Sequence, residues 1–253
     1  MTSSSALPTW YCRYSEAVKR RNGVILWDFD EDISDFDETN TDETATYNGP
    51  DAADYHRLRE KREERKRELF QRKETIRKRK EDARDEEKNK IEQVRAAYEA
   101  LESSVSRSES TQLGPIDSQF DLYCMDYFDL FYDPSPHGYH RRYIRFEYQD
   151  RGEAHSDNLT GRFWLNPKVD FELVPFKAPD SSSLARHEIY TADGRFSMVM
   201  QFIDKDHLIL RASRDLVFWG ARQDLRGPET FTFMGVRNDW GKQLQAFARM
   251  LHP

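Results

Sequence analysis

Few residues in this chain have the types and spacing for metal chemistry, and His137 with His140 is one such pair. Two imidazoles separated by two residues can begin a zinc site. No cysteine or third histidine follows at ligand spacing, and the pair lies in a proline-containing loop. We therefore expect a solvent loop and no metal site here.

A second candidate is the acidic pair Asp28 and Asp30, which follows the apolar run 24–27. An apolar strand that ends in D-x-D resembles the start of haloacid-dehalogenase-like phosphatases. That resemblance implies a nucleophilic first aspartate and a general acid in the second, both near Mg²⁺. Asp32 stands where that family has threonine, and the βαβ alternation of its fold does not follow. An EF-hand loop starting at Asp28 lacks the required glycine and the bidentate glutamate. We predict an acidic linker.

Motifs for nucleophiles and cofactors are missing from the sequence. The serines at 181–183 lack a nucleophile elbow, and neither glycine-rich nucleotide motif occurs. Cys12 and Cys124 form no C-x-x-C pair, which favours a reducing compartment. We expect no catalytic residues, no metal and no cofactor, and we favour a non-enzymatic protein.

The strongest signal is charge. Residues 28–54 contain eleven Asp or Glu and no Lys or Arg, whereas residues 55–80 contain thirteen Lys or Arg and five Glu. Neighbouring blocks of opposite charge attract each other, and each block also attracts partners of the opposite charge. The run 77–80 (RKRK) resembles a nuclear-localisation cluster, and such runs also contact phosphates, although the interleaved Glu weaken that interpretation. The candidate interaction residues here are Arg57, Arg59, Arg65, Lys66, Arg67, Arg77, Lys78, Arg79 and Lys80.

An apolar seam follows the basic stretch. Its residues alternate three and four apart, and they are Ile91, Val94, Tyr98 and Leu101, with Val105 next. This is the a/d pattern of two heptads. Continued backward, the register places Glu87 and Arg84 at seam positions, which breaks a sustained coiled coil. We expect the seam to pack on the following domain or on a partner, and self-association stays open.

These groups are positioned by a long helix. From Tyr55 to Glu102 there is no Gly or Pro, and strong helix formers dominate, which predicts a charged helix over 51–105. A short, partly ordered segment (1–33) with a helix from Trp10 and a strand at 24–27 precedes it. An acidic disordered linker (34–50) lies between them. A Ser/Gly/Pro linker (106–115) follows the helix.

Short alternating runs separated by turn residues indicate a β-rich domain over 116–253. The predicted strands are 142–148, 161–165, 169–176, 188–191, 196–202, 207–211, 216–219 and 230–236, and 120–132 fits a strand or a short helix. Asp193-Gly194 is the clearest hairpin turn. The apolar face of a terminal helix is formed by Trp240, Leu244, Phe247, Ala248 and Leu251. We predict an α+β chain whose barrel or sandwich is closed by this short helix.

Strands closed by an amphipathic C-terminal helix are similar to a pleckstrin-homology-like architecture, over about residues 120–251. The resemblance implies that Arg141, Arg142 and Arg145 lie where lipid-binding members place phosphate ligands. Residues 108–253 carry seventeen Lys or Arg and twenty-one Asp or Glu, so an anionic membrane would repel most of this surface. We expect these arginines to pair with sheet-surface acids such as Glu147 and Asp150.

Three runs carry a closer resemblance: DYFDLFY (126–132), LTGRFWLNP (159–167) and the run 194–218. They resemble lineage-specific proteins of filamentous fungi whose N-terminal half has a similar acidic segment and charged helix. This resemblance covers about residues 115–236 and brings no known activity or site residues. It implies an intracellular fungal protein, and we expect a cytoplasmic or nuclear location.

Three functions stay open from the sequence. The first is a protein-interaction or scaffold protein that presents its charged helix, with another protein as the partner. The second is a nuclear accessory factor that binds nucleic-acid phosphates through the basic stretch. The third is a barrel that binds a small molecule or catalyses a reaction. No apolar run of 18 residues occurs, so we expect no membrane span.

Overall fold

A computed structural model describes residues 9–21, 25–30, 33, 47–107, 112–135, 141–151, 154–220 and 226–238 of the chain. The chain forms two compact units, 1–78 and 79–253. The predicted long helix is present as α2, Ala52–Ser106, and contributes residues to both units. The predicted acidic linker and terminal helix fall largely outside the described residues, and the predicted domain limits stay predictions.

The first unit is held by a cluster of aromatic residues. Helix α1, Thr9–Arg21, and a 3-10 helix, Leu26–Phe29, supply most of it, and Ile33 and the first turns of α2 supply the rest. The buried members are Trp10, Tyr11, Tyr14, Phe29, Ile33, Tyr55 and Leu58. Because α2 is otherwise polar here, this cluster is what attaches its beginning to the rest of the unit.

The predicted strand at 24–27 is wrong where the structure describes it. Ile25 is extended, but the chain then turns into the 3-10 helix. The Asp28 carboxylate accepts a hydrogen bond from the Ile25 backbone N–H at 3.1 Å. Such a local bond gives the backbone an alternative to a strand ladder, which explains why the apolar run did not form a strand.

In its described residues, the second unit contains the last part of α2, eight strands and two short helices. The strands are β1 Gln119–Tyr123, β2 Tyr143–Arg151, β3 Ala154–Asn166, β4 Val169–Lys177, β5 His187–Tyr190, β6 Ser197–Phe202, β7 His207–Ser213 and β8 Thr230–Asn238. Helix α3, Met125–Phe131, follows β1, so the region 120–132 forms both a strand and a helix.

All eight strands form one antiparallel sheet, in the order β4-β3-β2-β1-β8-β7-β6-β5. The two edge strands approach each other, since Leu173 forms a bridge with Thr191 and the Ala192 N–H donates to Glu172 O at 2.7 Å. The sheet is therefore a nearly closed barrel, as predicted. The β5–β6 turn contains Gly194 with φ of +69°, a conformation that favours glycine.

The interior of the barrel is filled with apolar side chains. Every second residue of the strands points inward, which follows from the two-residue period of a strand. The fully buried phenylalanines among them are Phe120, Phe146, Phe163, Phe202, Phe231 and Phe233. Rings this large on facing strands occupy the space that a hollow barrel would leave for a ligand.

The predicted strand at 216–219 is also wrong. Residues Arg214–Val217 form a one-turn helix, α4, with Leu216 and Val217 buried. The Ser213 hydroxyl caps this helix by accepting a hydrogen bond from the Leu216 N–H at 3.4 Å. A serine N-cap followed by an acidic residue in the first turn is a signal for a helix start. The prediction of a strand relied on the apolar run and did not use this signal.

Candidate interaction surface

The basic stretch of α2 is exposed over most of its length. Of the fifteen residues at 66–80, eight are Lys or Arg and two are Glu, a net charge of +6. Apart from Lys66, Leu69, Glu74 and Ile76, which are half-buried, these side chains are exposed. Exposed and mostly of one sign, they form a continuous positive potential along the helix.

Arg65 is the exception among the predicted basic residues. Its guanidinium binds the Asp30 carboxylate through two hydrogen bonds, of 2.7 and 2.9 Å, and also binds Glu68 at 3.0 Å. It lies 5.0 Å from the ring centre of Trp27. The hydrogen bond from Arg65 lowers the pKa of the Asp30 carboxyl. Arg65 therefore attaches the 3-10 helix to α2 and is occupied within the first unit.

The remaining predicted residues of the first turns contact neighbours on their own helix. Arg57 pairs with Asp54 at 3.0 Å, and Arg67 donates to the Glu63 carbonyl at 3.3 Å. Lys66 lies 3.8 Å from the Glu63 carboxylate, and Arg59 is half-buried. Exposed pairs of this kind contribute little to stability, so they do not prevent these cations from engaging a partner.

The end of the stretch, 77–80, has the least compensated charge. Arg77 pairs with Glu74 at 2.8 Å, and this hydrogen bond lowers the pKa of Glu74. Lys78, Arg79 and Lys80 are exposed, and within the described residues none of them has a carboxylate at salt-bridge distance. Three consecutive exposed cations therefore lack an acidic partner in the described part of this helix.

The apolar seam packs on the barrel. Ile91, Val94 and Leu101 are buried. Val94 and Leu101 form one cluster with Ile203, Ile209 and Val236, and Tyr98 packs against it while half-buried. Of the two sites predicted for the seam, the following domain is the one observed. These side chains are therefore not exposed to a partner while the helix is packed.

A buried ion pair that was not predicted from the sequence extends this contact. Glu87 and Arg142 form two hydrogen bonds, of 2.7 and 3.1 Å, and their side chains are 3% and 5% exposed. The Cys124 backbone N–H also donates to Glu87, and the Arg142 guanidinium lies 5.3 Å from the Tyr127 ring centre. Glu87 occupies the seam position before Ile91, where the apolar pattern stops. The contact between α2 and the barrel therefore continues there through a polar residue.

The other two arginines of the predicted phosphate-ligand set are also occupied. Arg141 donates to the Asp121 carboxylate at 2.7 and 3.1 Å, and that carboxylate accepts further bonds from Gln119 and Asn238. Arg145 pairs with Glu147 at 2.5 Å, the partner expected from the sequence. Asp150 is described only in its backbone. Because Arg142 is buried in its ion pair and Arg141 is bound by Asp121, the three arginines do not form an accessible group of phosphate ligands.

Cys124 and Asp28 both lie in structural environments, since Cys124 is buried and Asp28 accepts a backbone hydrogen bond. Burial raises the pKa of the Cys124 thiol to about 11, so its reactive thiolate is scarce at neutral pH. Asp28 caps the 3-10 helix. The histidine pair 137 and 140 lies outside the described residues. Within the described ranges, no three His, Cys, Asp or Glu side chains converge as a metal site.

Comparisons with known proteins leave the surface to be interpreted from its own geometry. No family model, curated protein or solved structure matches the chain. The resemblances to fungal proteins and to the pleckstrin-homology-like architecture stay predictions. In the described part of the chain, every helix is too short or too polar to cross a bilayer.

Proposed function

We propose that this chain is a non-enzymatic interaction protein that presents the basic stretch of α2, from Arg57 to Lys80, to an acidic partner protein. The observation that carries the proposal is the exposed net charge of +6 over 66–80, which ends in three cations without acidic partners. A partner with a row of carboxylates would replace the solvent around these cations and gain charge-assisted hydrogen bonds.

The surroundings of the stretch support this role. The aromatic cluster holds α2 at Tyr55 and Leu58, and the barrel holds it from Glu87 onward. Between these attachments the exposed charges are displayed on a helix that is already formed. A preformed helix spends less conformational entropy on binding than a disordered tail would. The filled barrel interior favours an interaction role over the alternative of a barrel that encloses a ligand.

A protein partner fits the stretch better than a nucleic acid does. Glu68 and Glu74 interrupt the cations, and a phosphate backbone would meet these carboxylates as repulsive charges. An acidic protein surface can place its own cations opposite them. Phe70, 47% exposed, adds an apolar contact that protein interfaces commonly use. The nucleic-acid alternative is favoured by the run Lys78, Arg79 and Lys80.

The test measures binding of the full chain to a fluorescent poly-glutamate peptide and to mixed-sequence RNA and DNA, at about 50 and 200 mM salt. The variant K78Q/R79Q/K80Q removes the uncompensated cations. The control K88Q/K90Q/R95Q removes the same residue types from the same helix outside the basic stretch.

We expect the peptide to bind at low salt, to bind more weakly at high salt, and to lose affinity in the first variant only. Tighter binding of RNA or DNA than of peptide, with the same variant dependence, would establish the nucleic-acid alternative. An equal loss in both variants would show that overall charge, and not this stretch, is responsible. Absence of binding at low salt would refute both proposals.

A further inference from the structure

A groove lies on the outer face of the barrel. Its volume is about 480 Å³, within the range of small-molecule sites. Residues of strands β5 to β8 line it together with Arg186, which precedes β5. The ones used below are Arg186, Glu188, Ser197, Val199, Arg211 and Ser213. All of them belong to the second unit. The groove is therefore a concave, mostly apolar site with a few charged and hydroxyl side chains, and the proposed function does not use it.

Two guanidinium groups share this groove without an acidic partner. Within the described residues, neither Arg186 nor Arg211 has a carboxylate at salt-bridge distance. Burial and the nearby positive charge of Arg186 lower the pKa of Arg211, so the two cations interact electrostatically. Placing like charges together costs free energy, and an anion bound between them would recover it.

Arg211 is held in place for such a ligand. Its Nη1 donates to Gln201 Oε1 at 2.5 Å, and Gln201 Nε2 donates to the Leu184 carbonyl at 2.9 Å. This chain fixes one edge of the guanidinium on strand β7. The other donors of Arg211 remain for a ligand. A guanidinium positioned in advance loses less entropy when it binds an oxyanion.

The carboxylates near the groove are engaged by tyrosines. Hydrogen bonding to Glu188 raises the pKa of Tyr190, and hydrogen bonding to Glu102, together with burial, raises the pKa of Tyr98. Each glutamate therefore interacts with a phenol close to its own position. The groove lining therefore carries two guanidiniums and one carboxylate, and that carboxylate is hydrogen-bonded to a tyrosine and not to either arginine.

We propose that this groove is a binding site for a small phosphate monoester, with Arg186 and Arg211 as the ligands of its phosphate group. A phosphate dianion matches the charge of two guanidiniums and offers oxygens for bidentate hydrogen bonds. The hydroxyls of Ser197 and Ser213 line the same groove and are hydrogen-bond donors for further oxygens. Val199 supplies an apolar surface for the ester group.

The test is an NMR titration of the full chain with inorganic phosphate, phenyl phosphate and acetate, followed through the backbone amides of Val199, Arg211 and Ser213. These amides report on the groove and not on the basic stretch, so failure here is distinct from failure of the proposed function. The variants are Arg186→Gln and Arg211→Gln. Arg145→Gln, an exposed strand arginine outside the groove, is the control.

We expect both phosphates to shift the three amides in a saturable manner, with phenyl phosphate the tighter ligand and acetate the weakest. Each groove variant should weaken phosphate binding about tenfold, the loss of one charge-assisted contact. Arg186 is exposed and its replacement leaves the barrel packing intact, so this variant tests the site even if Arg211→Gln unfolds. Unmoved groove amides, equal losses in the control, or acetate binding as tightly as phosphate would overturn the proposal.

Discussion

The two parts of α2 are both rich in charged residues but differ in what faces them. Between residues 66 and 80 the helix carries exposed cations, and the Arg77–Glu74 pair lies at the surface. From Glu87 onward the same helix buries a carboxylate, and its apolar seam packs on the barrel. Charged residues on a helix are thus a solvated surface in one part and a structural contact in the other. The difference is set by the apolar seam, which only the second part carries, and by the barrel that faces it.

The largest expected effect is at Glu87. In Glu87→Ala, Arg142 keeps its charge but loses its buried partner, and we expect the free energy of unfolding to fall by about 3–5 kcal/mol. Urea denaturation measures this loss. The control Glu86→Ala removes an exposed neighbour and should stay within about 0.5 kcal/mol of the parent chain.

A double variant sharpens this test. Glu87→Leu with Arg142→Leu leaves no unpaired charge, and it should cost less than Glu87→Ala alone. If Glu87→Ala behaves like its control, the pair does not hold the helix on the barrel, and the contrast between the two parts of α2 fails.

The next effect is at the apolar seam. Leu101→Ala should lower the free energy of unfolding by about 2–3 kcal/mol, because it removes buried methyl groups and leaves space in the cluster with Ile203, Ile209 and Val236. Val105→Ala, where the side chain is 44% exposed, is the matched control and should change little. Thermal and urea unfolding of both variants measure the difference. Equal effects would mean that the seam is not packed.

A smaller effect concerns the first unit at low pH. The pKa of Asp30 is lowered in the folded chain by Arg65, so its stabilising contribution is present above its unfolded pKa, near 3.8, and is lost as the pH falls through the lower folded pKa. In Asp30→Asn this acid-dependent loss should be smaller. Hydrogen exchange of α1 and early α2 amides between pH 5 and 3 measures it, with Asp51→Asn as control. An unchanged pH profile would exclude the Asp30–Arg65 pair as a contributor.

The smallest effect on stability is expected in the basic stretch. K78Q/R79Q/K80Q should leave the free energy of unfolding within about 0.5 kcal/mol of the parent chain, because these side chains are exposed and unpaired within the described residues. The same variant is expected to lose binding to the acidic peptide. Urea denaturation beside the binding assay separates the two results. A loss of stability as large as that of Leu101→Ala would place these cations in a packed contact.

Much of the fold follows from local patterns. The long stretch without Gly or Pro predicted α2 to within one residue at each end, and alternation predicted seven of the eight strands. The errors at 24–27 and 216–219 share a cause. In both places a polar side chain, Asp28 or Ser213, bonds to the backbone within three residues and starts a helical turn. An apolar run alone does not reveal this competition.

The candidate surfaces were predicted less evenly. Exposure of the basic stretch follows from its composition, because cations without apolar neighbours stay in water. The positions of the seam residues were also predictable from their spacing. The Glu87–Arg142 pair was not predictable, because its members are 55 residues apart. Nothing in the sequence around either residue distinguishes it from a charged residue at the surface.

By itself, the sequence determined the helix, the strands and the separation of charge, because these depend on neighbours a few residues away. The tertiary structure alone decided which charges are buried, which arginines lack an acidic partner, and that the seam faces the barrel. Those outcomes depend on which strands the sheet brings opposite α2 and beside one another. Arg142 and Arg211 show the difference: both are arginines on strands or next to them, yet one is paired within the core and the other lines an open groove.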